Sequence, residues 1–477
     1  MKIRCASPLG LSPLFLLLIY FGLVLAPISE LQSAEPKSKV EVDVTIEAQS
    51  ASKMKAEVNR NDAAREEWFR DQGLGMFVHW GLDSQHGTVI SHWMCAAEKK
   101  IIDRFISESP KTFTAKDFDA DGIAHLARVA GLRYLVFTTK HHSGFCMFET
   151  AITPFNVMNT PFGKDVTKEF SNACRKWNVG FGIYFSPLDF YWCHTQGKDL
   201  HFLGDNVPLK NPKLMDYNRQ QLKELLSNYG SLDMVFFDGP PEILKDDVWR
   251  MQPNCLITRG AMETPEQNMP TKPIEGAWEA CFTMADGWSY KPTNDTYKTG
   301  RKLIEMLIEI RANGGNLLLN VSPDDRGRIP FEQERIIQEL GTWLFFNGEA
   351  IYGVRPWSTP KEEGVWYTKA KDTNTVYAFL TGSEWEYGVR REIVLKGVKV
   401  SPSSKIEIVG QSGKVLEHHQ GADIATRWEQ KPDGLHVSGV VCYRPYDNRK
   451  WANPIVLRIT NAEHAIPEYG RLTPHCY

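Results

Sequence analysis

Polar side chains able to do chemistry recur directly after short apolar runs of this 477-residue chain. His79-Trp80-Gly81 follows Met76-Phe77-Val78, Lys140-His141-His142 closes the run from Tyr134, and Ser186-Pro187-Leu188-Asp189 follows Gly180 to Phe185. Asp238 follows Met234 to Phe237, and Arg259 follows Asn254 to Thr258. Histidines, carboxylates and an arginine at the ends of successive strands describe a ring of polar groups, which is how a pocket for a small polyhydroxylated ligand is built. Asp238 is the most telling member, because Met234 to Phe237 reads as a strand buried on both faces and Gly239-Pro240-Pro241 then turns the chain. Its position alone fits a helix N-cap equally well. Glu263, Glu266 and Glu279 lie downstream. Two carboxylates, one acting as nucleophile or base and the other as acid, are what glycoside hydrolysis requires.

Other chemistries lack their residues. No Gly-x-Ser-x-Gly elbow, phosphate loop or Gly-x-Gly-x-x-Gly fingerprint is present. Past the N-terminal segment the cysteines stand singly, at 95, 146, 174, 193, 255, 281, 442 and 476, with no Cys-x-x-Cys pair. They read as buried thiols, with room for a disulfide or two. His141 and His142 read as neighbours on an extended strand end, pointing to opposite sides, a geometry poor for chelation and suited to two contacts around a ligand.

The apolar runs that carry these groups alternate with amphipathic stretches at Gly122–Ala130, Lys168–Trp177, Leu214–Asn228 and Tyr297–Arg311; Leu317–Val321 adds a further strand. Strand and helix alternating over nearly 300 residues predict an α/β fold, a (β/α)8-like TIM barrel over residues 61–353. Beyond residue 353 the pattern changes to alternating apolar and polar residues broken by Gly, Asp, Asn and Pro, predicting a C-terminal β-sandwich over 354–477.

Lys2 and Arg4 precede an apolar run from Leu14 to Ala26, and Gln32-Ser33-Ala34 offers a cleavage site, so residues 1–34 read as a secretory signal peptide followed by a polar linker over 35–60. The run is shorter than the ~20 residues of a membrane span, so no stable membrane insertion is expected after cleavage, and the mature chain is expected to be secreted or periplasmic. A net charge of −3 argues against nucleic acid as a partner. The 14 tryptophans suit stacking on sugar faces and serve equally in a core.

Five motifs resemble the α-L-fucosidases of glycoside hydrolase family 29: His79-Trp80-Gly81, Lys140-His141-His142-Ser143-Gly144-Phe145, Phe237-Asp238-Gly239, Trp278-Glu279-Ala280-Cys281 and the run from Asn313 to Val321. The resemblance extends in order from about Trp68 to Trp357. It implies a retaining enzyme that releases L-fucose from the non-reducing ends of fucosylated oligosaccharides or polysaccharides, with no metal or cofactor. By the same resemblance Asp238 is the nucleophile, and the acid/base is sought first at Glu266, then Glu279, then Glu263. His79, Trp80, His141, His142 and Arg259 would contact the sugar, with Trp93 and Tyr184 as pocket aromatics. The chain departs from the family pattern at Ser143, where an acidic residue is usual, and at His92, where a carboxylate usually reaches the sugar. These departures leave room for a galactoside or modified-fucose specificity, or for an inactive fucose-binding homologue.

Overall fold

The computed structural model describes residues 59–464 apart from 271–273, 294, 383, 446–449 and 452; the expected signal peptide and nearly all of the linker lie outside the described residues. Seven parallel strands form one sheet: β1 (Leu74–Val78), β2 (Tyr134–Lys140), β3 (Gly180–Phe185), β4 (Met234–Phe237), β5 (Leu256–Ile257), β6 (Glu279–Thr283) and β7 (Asn316–Val321). Their order is β5-β4-β3-β2-β1-β7-β6. Alternate residues on these strands build two cores. Phe77, Tyr134, Val136, Tyr184, Met234, Phe236, Leu256, Cys281 and Leu318 fill the inside of the curl. Their neighbours Leu135, Phe137, Ile183, Phe185 and Val235 face the surrounding helices in a larger core. Burial on both faces is why these strands read as continuous apolar runs.

The helices that matter for the site are α1 (Ala63–Gln72), α2 (Lys99–Thr112), α3 (Ala120–Val129), α4 (Val166–Trp177), α5 (Phe190–Thr195), α6 (Pro212–Asn228), α7 (Leu244–Met251), α8 (Gly300–Ala312) and α9 (Phe331–Asn347). Their starts follow local chemistry: Asp62, Asp165, Asp189 and Asn211 each accept a backbone N–H two or three residues into the helix they cap.

Among the described residues no eighth strand joins β5 to β6. The gap holds an irregular segment, Arg259 to Gln267, bridged to the β6 side at Glu263–Trp278 and Glu266–Cys281. Pro265 has no N–H to give a ladder, and Gln267 takes a left-handed φ of 50°, so this stretch cannot extend as a regular strand. The curl is therefore a barrel whose eighth position is an irregular seam.

From β8 (Val354–Glu362) onward the chain is β-rich. β9 (Val365–Ala370), β10 (Val376–Leu380), β12 (Ile406–Ile408) and β15 (Ile455–Ile459) complete a five-stranded sheet, antiparallel throughout. β11 (Arg390–Leu395), β13 (Arg427–Lys431) and β14 (Gly434–Val440) form a three-stranded one. Phe379 and Leu457 of the first sheet and Leu395, Leu435 and Val437 of the second share one core. Trp343 of α9 donates its indole N–H to the Pro454 carbonyl at 2.9 Å and ties this part to the barrel. All seven described cysteines, Cys95 to Cys442, are free thiols; Cys476 lies outside the described residues.

Candidate active site

The carboxyl ends of β1 to β5 converge on Asp238. At the end of β2 the register with β3 shifts between Thr138 and Lys140. This bulge re-aims everything after it. Lys140 points outward into the helix layer, where its ammonium meets Asp189 at 3.3 Å, Asn218 at 2.7 Å and Gln221 at 2.9 Å. The chain then turns, with the Gly144 N–H donating to the His141 carbonyl at 3.0 Å. Gly144 has φ +83°, and a Cβ there would collide with the Asp189 carboxylate, so the turn needs glycine. The His141 and His142 rings consequently lie 4.4 Å apart and, with Asp238, place one ligand-type atom each within 4.8 Å of one another. This corrects the expectation that adjacent histidines on a strand end face opposite sides: the residues have left the strand.

Asp238 directly follows β4, six residues before α7 begins, so it caps no helix. The Tyr184 hydroxyl donates to its Oδ2 at 2.5 Å, and the His142 Nε2 lies 3.2 Å from the same oxygen. Arg259 reaches Oδ1 at 3.4 Å. Burial alone would raise the Asp238 carboxyl, but His142, Arg259 and His141 outweigh it and hold it well below the usual carboxylate range. Asp238 is therefore an anion at neutral pH with 26 % of its side chain still exposed to the mouth.

The same Arg259 nitrogen holds Glu266 Oε2 at 2.7 Å. Two oxygens at 3.4 and 2.7 Å from one nitrogen can be no more than about 6 Å apart, short of the ~6.5–9.5 Å of inverting glycosidases.

His79 is fixed from below. Asn320 donates its amide to the Trp288 carbonyl at 2.8 Å, so its oxygen faces His79 Nδ1 at 2.6 Å and that nitrogen carries the hydrogen. Burial, only partly offset by Asn320 and Asp238, pushes His79 down to about 4. The ring is neutral near pH 7 and its Nε2 is left as an acceptor for a hydroxyl. Burial, with His142 and His79 beside it, pushes His141 well below the ordinary histidine value as well.

The α-L-fucosidase family profile matches residues 42–349. The chain belongs to the α-L-fucosidase family. Among relatives of this glycoside hydrolase family, it is 30% identical to tissue α-L-fucosidase of Mus musculus over 418 residues, 78% of this chain and 87% of that one. It is 28% identical to the tissue enzyme of Homo sapiens, covering 78% and 84%. Among solved structures it is similar to α-L-fucosidase isoenzyme 1 from Paenibacillus thiaminolyticus, with 28% identity, a TM-score of 0.66 and coverage of 84% and 99%. An α-L-fucosidase from Bacteroides thetaiotaomicron, at 20% identity and a TM-score of 0.68, covers 87% and 98% and shares the fold.

Not every polar residue expected at the fucosidase pocket stands there. Trp80 is fully buried outside the curl, stacked 4.9 Å from Phe118, with its indole N–H on the Asp324 carbonyl, so it packs the barrel rather than facing a sugar. Trp93 gives its indole N–H to Asp83 at 2.8 Å and sets its ring edge-on to Phe105. Asp189 is spent on capping α5 and pairing with Lys140. Glu279 starts β6 at the opposite end of the barrel, where Tyr134 donates to it at 2.9 Å, and burial raises its carboxyl to about 7. Among the described residues no hydrogen bond or ion pair joins Glu279 to Asp238, although Arg259, which holds Asp238, lies within electrostatic reach of Glu279. Glu263 pairs by backbone with Trp278, and among the described residues no hydrogen bond joins its carboxylate to the Asp238 cluster.

Several residues around this cluster carry little signal in the sequence. Trp288 lies 4.9 Å from the His79 ring, and Phe202 covers His92 and His142 at 5.1 and 5.2 Å. Both sit in loops, and only Trp288 had a signal, its place shortly after the short run of β6. Ser91 also went unread: its hydroxyl faces His141 Nδ1 at 2.9 Å and accepts the Ser143 N–H at 2.8 Å. Buried Asp83 holds the Ser91 N–H at 3.1 Å and thereby sets the whole turn.

Proposed function

We propose that this chain is an exo-acting, retaining α-L-fucosidase that releases L-fucose from non-reducing ends of glycans by double displacement. Asp238 is the nucleophile. Tyr184 and His142 occupy its Oδ2, so Oδ1, held only by the longer Arg259 contact, is the oxygen that attacks the anomeric carbon. Glu266 is the acid that protonates the leaving oxygen and then the base that draws a proton from water. His79, His141 and His142 bind the hydroxyls, and Trp288 offers an apolar face. The observation that carries this reading is the single Arg259 nitrogen shared by Asp238 and Glu266, which keeps the two contacting oxygens within about 6 Å, short of the spacing of inverting enzymes.

The deciding experiment is hydrolysis of 4-nitrophenyl α-L-fucoside by the mature chain, with proton NMR of the first anomer released. α-L-Fucose appearing first supports the assignment; β-L-fucose appearing first overturns the retaining mechanism. Faster turnover of the matching galactoside overturns the sugar, and binding of L-fucose with no turnover of aryl or natural fucosides makes the chain a binding homologue. We further propose export through cleavage after Ala34; among the described residues no helix is long and apolar enough to cross a membrane. Amino-terminal sequencing of the exported chain tests that site.

A further inference from the structure

The turn that gathers His141 and His142 beside Asp238 gives this pocket a second chemistry. His142 Nε2 and Asp238 Oδ2 are 3.2 Å apart. That is close to the ~3.3 Å edge of a tetrahedron with ~2.0–2.1 Å arms, the coordination shell of zinc. His141 contributes the third ligand atom inside the same 4.8 Å span. His92 stands over them, its ring 5.6 Å from that of His142 and 6.0 Å from that of His141; its nitrogens are outside the group that shares the 4.8 Å span, so it has to swing inward to reach an ion held there.

The outer hydrogen bonds of these rings point the same way. His141 Nδ1 faces Ser91 Oγ at 2.9 Å, His142 Nδ1 faces Ser186 Oγ at 2.6 Å, and His92 Nδ1 donates to the Ile90 carbonyl at 2.8 Å. Each ring has Nδ1 engaged by an oxygen partner; Nε2 of His141 and His92 carries no hydrogen bond among the described residues, and Nε2 of His142 faces Asp238 Oδ2, the contact a bound ion would replace. Fixing ring orientation through the second nitrogen is what metal-binding histidines require. Tyr184 shares Oδ2 but leaves it a further lone pair, and Arg259 lies on Oδ1, the other side of the carboxylate.

We propose that His141, His142 and Asp238, with His92 as fourth ligand, bind one first-row divalent transition-metal ion, and that this ion inhibits the enzyme by occupying the place of the sugar. Imidazole nitrogens with one carboxylate select zinc or copper, whereas calcium and magnesium want more oxygen ligands. The inhibition rests on the sugar site assigned above; the metal site itself does not.

The test uses the untagged mature chain, stripped with a chelator and titrated with zinc chloride by calorimetry and with cobalt chloride by visible absorption. One zinc per chain with no heat from magnesium, a cobalt d–d band, displacement of both metals by L-fucose, and at least tenfold weaker binding in His92→Ala are the expected results. In steady state, zinc raises the apparent KM for the aryl fucoside without changing kcat, and chelator reverses it. No saturable zinc binding, a site unmoved by His92→Ala, or zinc inhibition that lowers kcat alone overturns the proposal. The two readings fail separately. Fucoside turnover with no cobalt band removes the metal site only, and a cobalt band lost in His92→Ala with no fucoside turnover removes the fucosidase reading only.

Discussion

At the scale of single residues, the barrel assigns jobs by which way a strand end faces. His79 and Trp80 are sequence neighbours, yet His79 faces the curl and Trp80 faces the helices, as the two-residue period of a strand demands. Applying that period to Trp80 would have removed it from the pocket on sequence alone. The same period misled for His141 and His142, because a bulge cannot be read from their types. Asp238 was legible since four buried strand residues precede it, whereas the order Glu266, Glu279, Glu263 rested on the family resemblance alone, because nothing in their own sequence setting separates them. Asp238→Asn should cut kcat by at least about a thousandfold, roughly 4 kcal/mol of barrier, with the thermal midpoint unchanged or raised. Glu266→Gln should lose most activity on fucosides with poor leaving groups and less on an aryl fucoside with an activated one. Added azide should then yield the α-fucosyl azide, because the glycosyl-enzyme still forms and is opened from the opposite face. If Glu266→Gln retains full activity while Glu263→Gln does not, the acid has been misassigned.

At the scale of elements, the site depends on a buried ion pair that never touches substrate. Lys140 and Asp189 are both fully buried and join the end of β2 to the start of α5, whose first N–H groups also bind the His142 and Ser143 carbonyls. Lys140→Met strands the Asp189 charge and should cost about 3–5 kcal/mol, read as a lower urea midpoint. Gly144→Ala forces a side chain into a left-handed turn against Asp189 and should cost about 1–3 kcal/mol, with a matching fall in kcat/KM as the histidines shift. At the far end of the barrel, Glu279 has its carboxyl raised from 4.5 to about 7 in the folded chain. A folded state that holds its proton more tightly than the unfolded chain loses stability as pH rises through that interval. The loss between pH 4.5 and 7 amounts to about 3 kcal/mol. Glu279→Gln should flatten that dependence, so urea midpoints at pH 5 and pH 8 should converge; an unchanged slope would place the titrating group elsewhere. The strand that carries Glu279 was itself missed, because only three apolar residues separate the glutamate from Thr283.

At the scale of the whole molecule, strand and helix alternation and the change of pattern near residue 353 were legible because they are properties of long stretches. The missing eighth strand was not, since it depends on one proline and one left-handed residue in a segment that also carries the carboxylates. Regular ladders hold Asp238 from both sides, while Glu266 rides on a seam attached to β6 at isolated points. Segments with few backbone bonds open at lower free energy than the strands beside them. Rising urea should therefore abolish turnover before tryptophan fluorescence reports global unfolding, with L-fucose moving the two transitions together; coincident transitions without ligand would show that the seam is as firm as the ladders. With Glu266 in the role proposed for it, the seam is a clasp: unfastening one short stretch would switch the enzyme off while the rest of the barrel stays closed, and a binder that grips this stretch from outside would govern activity without entering the pocket.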